Sequence, residues 1–309
     1  MNADTPTLPT ELLRELHVTS MGSHLGRLAL FVAIHLGTAW GAVTMAEGIS
    51  GGWRWLVIVP CHLLAAAALH GISLFTHEAV HGTIMSNRVG NALLGAICAW
   101  PVLQNYSAYR VLHLRHHQHL GEAGDPDHYA NYTRWTWLIF IMNWLRLVIG
   151  YPVYITAIPV LGFKAGNWAA RIGIVAEVAA TVLLGWAVLH WVPGSWLLHG
   201  WLIPMLFINT FVNIRGMSQH TLLEDPDHPV RGTRSILTRS WIRFFMCNEN
   251  YHLEHHLYPG VPWHQLPRVH AALAPALRQQ GAPYIRSYSA FVGEFIKKSI
   301  RRSPWGRRP

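Results

Sequence analysis

The chain carries 21 histidines in 309 residues, and their placement says more than their number. One group reads His77-Glu78-Ala79-Val80-His81, a second His113-Leu114-Arg115-His116-His117, and a third His252-Leu253-Glu254-His255-His256, while His220 follows Arg215 by five residues. On a helix, positions i, i+3 and i+4 share one face, so each group aims two or three imidazoles at a common point. That is metal-ligand spacing. The set His77, His81, His113, His116, His117, His220, His252, His255 and His256 exceeds what one ion with about four to six ligands can take, which implies two metals. The first group also matches HExxH, in which the histidines bind zinc and the glutamate is a general base. An intramembrane zinc protease is therefore a remote alternative, and a metal transporter another. A protease site, however, needs one further ligand and leaves two HxxHH groups unexplained. A transporter places its ligands near the bilayer midplane, whereas these groups fall at helix ends.

The elements that position these groups are apolar. Hydrophobic residues make up 51% of the chain and charged residues 13%, against roughly a quarter charged in a soluble domain. Leu28–Ala46, Leu56–Thr76 and Trp196–Ile214 each run 19 or more residues without Lys, Arg, Asp or Glu, about the length that crosses a bilayer. Ile172–Val192 predicts a fourth crossing despite Glu177, since an ionisable residue in a membrane helix turns toward protein or water. Val89–Leu103, and Trp135–Phe163 with its Arg146, Pro152 and Pro159, are expected to be re-entrant or interfacial. A crossing by the second stretch would put the histidine groups on opposite sides of the membrane. No alternating strand pattern persists. The expected fold is an all-α integral membrane protein, with four transmembrane helices in two hairpins and a helical cytoplasmic cap. The expected division is residues 1–27 as a cytoplasmic N-terminal segment, 28–272 as the membrane domain and 273–309 as a basic cytoplasmic tail.

Lys and Arg are retained on the cytoplasmic side. They number 2 before residue 28, then Arg54, then 7 between residues 88 and 171, then 14 from Arg215 onward. The linkers Glu47–Gly52 and Trp191–Trp196 carry none, so both termini are expected in the cytoplasm. The tail residues Lys297, Lys298, Arg301, Arg302, Arg307 and Arg308 fit orientation and anionic headgroups rather than nucleic acid. Cys61, Cys98 and Cys247 form no CxxC pair, which excludes a zinc ribbon, an iron–sulfur cluster and a redox dithiol. Asp125-Pro126-Asp127-His128 and Asp225-Pro226-Asp227-His228 read as turns. His119, His128, His228 and His264 read as supporting or surface groups, and His70 as helix packing or a tunnel wall. Glu78 and Glu254 are expected to accept N–H bonds from ligand histidines.

With its three boxes HxxxH, HxxHH and HxxHH in order, the sequence resembles the membrane fatty acid desaturase and hydroxylase superfamily. The stretch Asn250-Tyr251-His252-Leu253-Glu254-His255-His256-Leu257-Tyr258-Pro259-Gly260-Val261-Pro262-Trp263 is very like the third box of bacterial members. Arg215-Gly216-Met217-Ser218-Gln219-His220 is similar to the segment that supplies an additional ligand. The resemblance spans roughly residues 55–272. It implies two iron ions cycling between Fe2+ and Fe3+, dioxygen as co-substrate, and attack on an unactivated C–H bond of a lipid or acyl substrate. Desaturation of a fatty acyl chain is the leading expectation, with acyl hydroxylation or carotenoid ketolation or hydroxylation as alternatives. Some acyl-CoA desaturases place an Asn four residues before the extra histidine; here that position is Gly216, and Asn213, Asn248 or Asn250 are the candidates to compensate. The sequence has no HPGG heme motif and no GxGxxG. Electrons are therefore expected from an external, ferredoxin-type donor, with the enzyme in a bacterial inner membrane.

Overall fold

The computed structural model describes residues 5–128 and 132–301; the expected tail cations Arg302, Arg307 and Arg308 lie outside the described residues. Twelve α-helices are described: α1 Thr10–Leu16, α2 Met21–Gly48, α3 Trp55–His81, α4 Arg88–Ala99, α5 Tyr106–Gln118, α6 Thr136–Ala165, α7 Trp168–Trp191, α8 Ile203–His220, α9 Ser240–Phe245, α10 His252–Leu257, α11 Leu266–Gln279 and α12 Tyr288–Arg301. A π-helical stretch, Trp196–Leu202, leads into α8. Two short strands, β1 Ser235–Ile236 and β2 Tyr284–Ile285, pair in parallel with Ser235 opposite Tyr284.

Five segments are long and apolar enough to cross a membrane: Met21–Gly48, Gly52–His81, Thr136–Ala165, Trp168–Trp191 and Trp196–His220. In α7 only Ile174 is buried, while Val175, Val178, Val182, Leu183, Trp186 and Leu189 are exposed. A helix that is apolar all round yet so little covered requires a hydrocarbon solvent, so the chain is an integral membrane protein.

Trp135–Phe163, expected to be re-entrant or interfacial, lies almost wholly in one helix, α6, which runs unbroken through Pro152 and Pro159. Proline removes one intrahelical hydrogen bond and crowds the preceding turn, but in a membrane helix neighbours can re-satisfy the freed groups. Here the Tyr151 N–H donates to Asn209 Oδ1 at 3.1 Å, and the Thr156 hydroxyl donates to the Pro152 carbonyl at 3.0 Å. Val89–Leu103 behaves as its length dictates. The 12-residue α4, about 18 Å long, ends in the tight turn Trp100–Val102, and Leu103 takes a left-handed φ of 59° that sends the chain into α5.

The chain divides into two compact units. One comprises Ser20–Val111 and Tyr151–Val212. In it α2 and α3 pack closely enough that a Cβ on Gly71 would fall 2.5 Å from the Phe31 ring. Glu177 of α7 caps the start of α5: both its carboxylate oxygens lie 3.1 Å from the Ser107 N–H. The intramembrane glutamate thus satisfies a helix end whose donors have no intrahelical partner. The second unit comprises the residues up to Thr19, Leu112–Gly150 and the residues from Asn213 on. Its core joins Leu16, Leu253, Leu257 and Val261 to Leu266, Val269, Leu273 and Leu277, the buried stripe of α11. A smaller cluster seats Phe291 and Phe295 of α12 on Met217 of α8.

Candidate metal centre

The HxxHH spacing works as helix geometry dictates. In the second unit α5 presents His113, His116 and His117, α8 ends on His220, and α10 presents His252, His255 and His256. A ligand nitrogen from each of His116, His220 and His256 lies within 4.8 Å of the others, and the same holds among His113, His117 and His255. In the first unit, His77 and His81 stand side by side on the last turn of α3, with ring centroids 4.9 Å apart.

The protonation pattern tests whether a cation belongs there. His116 Nδ1 lies 2.8 Å from Asp125 Oδ1, His220 Nδ1 lies 3.1 Å from the Gly232 carbonyl, and His252 Nδ1 lies 3.0 Å from Glu249 Oε1. The Asp125 and Gly232 partners are acceptors, so the Nδ1 atoms of His116 and His220 carry ring hydrogens, and in the neutral rings their Nε2 atoms keep lone pairs. The Nε2 atoms converge. His220 Nε2 is 3.3 Å from His116 Nε2 and 3.1 Å from His252 Nε2, which is in turn 3.1 Å from His256 Nε2. A cation bound among these nitrogens would satisfy the converging Nε2 atoms together. Metal–imidazole bonds of about 2.1 Å put two ligand nitrogens about 3.0 Å apart at right angles and about 3.4 Å apart tetrahedrally. The observed spacings fall in that window. His113 and His117 show the same Nε2–Nε2 approach, 3.1 Å.

Electrostatics supports the arrangement. Burial pushes His252 down against the pull of Glu249, and burial together with neighbouring imidazoles pushes His256 well below the ordinary histidine range. Both shifts favour the neutral ring that metal ligation would need. Burial opposes charge on His116 too, but its hydrogen bond to Asp125 and the nearby Asp127 carboxylate outweigh this and hold it above the usual range. Asp125 is lowered despite burial, chiefly by the same bond. Such carboxylate–histidine pairs fix ring orientation and strengthen the ligand.

Several supporting residues differ from expectation. Asp125 makes the turn anticipated for Asp-Pro, accepting from the N–H groups of Gly121 and Asp127 at 2.9 Å each, but it also orients His116. Glu249 orients His252 and is itself held by Arg215 at 2.6 Å and by Gln219; its position three residues before His252 was the signal available in the sequence. Glu254 does not serve a ligand histidine. It is held by Ser235, His270 and Tyr284, tying α10 to α11 and β2. Glu78 accepts from the Thr83 hydroxyl at 2.6 Å and faces His24 at 3.4 Å. Asn248 and Asn250 bond the carbonyls of Trp263 and Ile236, and Asn213 Oδ1 lies against Gly150. Asn143 of α6, which no sequence pattern marks, lines a cavity with Gly216, His116 and His220. His128 lines the same cavity, His228 Nδ1 accepts from the Val230 N–H, and His70 is buried.

Residues 53–288 match the fatty acid desaturase family, and the chain belongs to that family. The dihydrorhizobitoxine desaturase of Bradyrhizobium elkanii is 27% identical over 286 residues, covering 83% of this chain and 76% of the relative. A β-carotene ketolase of a Paracoccus species is 25% identical, covering 82% of this chain and 93% of the relative. The sn-1 acyl-lipid omega-3 desaturase (ferredoxin) of a Synechocystis species is 24% identical, covering 75% and 70% respectively. The chain is thus a membrane oxidoreductase of the desaturase superfamily.

Proposed function

We propose that the protein is an oxygen-dependent di-iron desaturase that introduces a double bond into an acyl chain. The observation that carries this reading is the convergence of Nε2 atoms from His116, His220, His252 and His256, with the Nδ1 atoms of His116 and His220 hydrogen-bonded to acceptors. In this reading His77, His81, His113, His116, His117, His220, His252, His255 and His256 are the ligands of two ions.

When bound, the irons supply activation of dioxygen. In the overall reaction –CH2–CH2– loses two hydrogens and becomes –CH=CH–, while two electrons from the donor and two protons from solvent complete reduction of O2 to two waters. The protein's own share is to keep His252 and His256 neutral, hold rings through Asp125, Glu249 and Gly232, and keep bulk water from the buried histidine cluster. The ferredoxin-dependent relative supports an electron donor of that class. The β-carotene ketolase relative favours carotenoid oxidation as the second reading, because a carotenoid meets the same apolar requirement.

In this reading four helices cross the membrane: α2, α3, α7 and α8 with its π-helical lead-in. Helix α6 lies along the cytoplasmic interface, both termini are cytoplasmic, and the membrane is a bacterial inner membrane. One observation supports this placement of α6: His116 of α5 and His220 of α8 meet, so the three segments between them, α6, α7 and α8, do not all cross.

The test is expression with a ferredoxin system in one host making ordinary lipids and another making β-carotene, followed by mass analysis. Loss of two mass units in acyl chains supports desaturation. A gain of sixteen on acyl chains indicates hydroxylation, and oxygenated carotenoid with unchanged lipids overturns the acyl assignment.

A further inference from the structure

Beside His116 and His220 lies a cavity of about 350 Å3, at the small end of the range for small-molecule sites. Leu120, Ile139, Leu222 and Leu223 give it an apolar wall. Its only Lys or Arg among the described residues is Arg146 of α6. This guanidinium lies against Gly216 so closely that a Cβ there would sit 2.9 Å from Nη2. Any side chain at position 216 would displace it. Among the described residues Arg146 has no hydrogen-bond or ion-pair partner. Of the acidic groups in the cavity, Asp125 serves His116 and two backbone N–H groups, and the half-exposed Asp127 faces His116 Nδ1 at 3.8 Å. Asn143 shares the Arg146 face of α6, three residues earlier, and its Oδ1 is buried without a partner. An unspent fork of donors inside a cavity that is otherwise largely apolar recognises a planar anion.

We infer that Arg146 binds the carboxylate of the substrate, and that the C–H bonds attacked lie only a few carbons from it. This rests on the desaturase reading above and narrows its substrate to a free carboxylic acid. Gly216 and His220 are one helical turn apart, about 6 Å. An extended chain advances about 3.4 Å per three bonds, so roughly five bonds separate an acid group on Arg146 from the level of His220. The neutral Asn143 carboxamide, able to donate as well as accept, faces the same space.

The test uses the full-length, metal-loaded protein in lipid nanodiscs. Hexanoate, hexan-1-ol and inorganic phosphate are titrated calorimetrically against protein-free nanodiscs as blank, with metal content measured alongside. The expected result is hexanoate binding about tenfold or more tighter than hexan-1-ol, the value of one charge-assisted hydrogen bond. In Arg146→Gln that preference should vanish with metal content unchanged, and in Arg146→Lys part of it should survive. Equal binding of acid and alcohol by the wild type, a preference retained in Arg146→Gln, or phosphate binding as tightly as hexanoate overturns the carboxylate assignment. Desaturated lipid in cells together with any of these leaves the reaction class standing without this substrate. A carboxylate preference with no unsaturated product from any substrate refutes the reaction class and leaves the binding site.

Discussion

Replacing Asp125 by Asn isolates the electrostatic role of one carboxylate while keeping its shape. In the wild type, Oδ1 accepts from His116 Nδ1 and the Asp127 N–H, and Oδ2 accepts from the Gly121 N–H. Asp125→Ala would remove all three bonds and leave buried backbone donors unpaired at about 1–3 kcal/mol each, so local unfolding would obscure the effect on the metal. Asn has one acceptor oxygen where Asp has two. If that oxygen stays on His116, the ring keeps its tautomer but loses its ionic partner. If the amide nitrogen turns to the ring, the hydrogen moves to Nε2 and the ligand lone pair is lost. Both outcomes weaken one metal, and loss of such a supporting group costs about 10–100-fold in affinity, or about 1.4–2.7 kcal/mol. In a chelator-competition titration, Asp125→Asn should release one equivalent of metal at 10–100-fold lower chelator concentration. The equivalent held by His113, His117 and His255 should be released as in the wild type. If both equivalents leave at wild-type chelator concentrations, Asp125 does not tune the ligand and the reasoning fails.

Other outcomes follow from the packing. Gly162→Ala places a Cβ 2.7 Å from the Ala108 Cα, so thermal unfolding should show a loss of about 1–3 kcal/mol; unchanged stability would mean that the α5–α6 contact is looser than described. Glu177→Leu leaves the Ser107 N–H uncapped and should cost about 1–3 kcal/mol, whereas Glu177→Gln, which still accepts, should cost less; equal losses would refute the capping role. Burial raises the Cys98 thiol to about 12, so at pH 8.5 roughly one thiol in 3,000 is ionised. Cys98 should resist maleimide in the folded protein and react on denaturation, and rapid labelling of the native state would contradict its buried setting. A reporter inserted at Asn167, between α6 and α7, should read cytoplasmic, as should reporters after Arg27 and His119, whereas insertions at Gly51 and Gly194 should read the opposite side. A non-cytoplasmic result at Asn167 means that α6 crosses.

The grouping of the histidines was legible because the spacing that marks it is local: i, i+3 and i+4 on one helix is a property of a few consecutive residues. The apolar runs of α2, α3, α7 and α8 were legible for a similar reason, since length and polarity alone decide whether a helix can lie in hydrocarbon. Helix α6 was not. Pro152 and Pro159 read as breaks, and what sustains the helix at Pro152 includes an acceptor 58 residues away, Asn209. The supporting shell was half visible. Glu249 precedes its histidine by three residues, but Asp125 reads as a turn residue and is one, and nothing local discloses that it also holds His116. Glu254 shows the opposite error: lying between two ligands, it was expected to serve them, yet backbone direction turns it toward His270 and Tyr284. The Arg146 and Asn143 cavity was invisible because it depends on Gly216, a position where the sequence records only a missing side chain.

The most direct test of the central claim is metal stoichiometry in protein purified anaerobically, counting iron and zinc together because hosts can load zinc into imidazole sites. Measurements would cover the wild type and single alanine variants of His77, His81, His113, His116, His117, His220, His252, His255 and His256. The account predicts about two equivalents in the wild type and loss of metal and turnover in each variant, with membrane insertion retained. A wild-type ratio near one, or full metal content and activity in three or more of the variants, would contradict it.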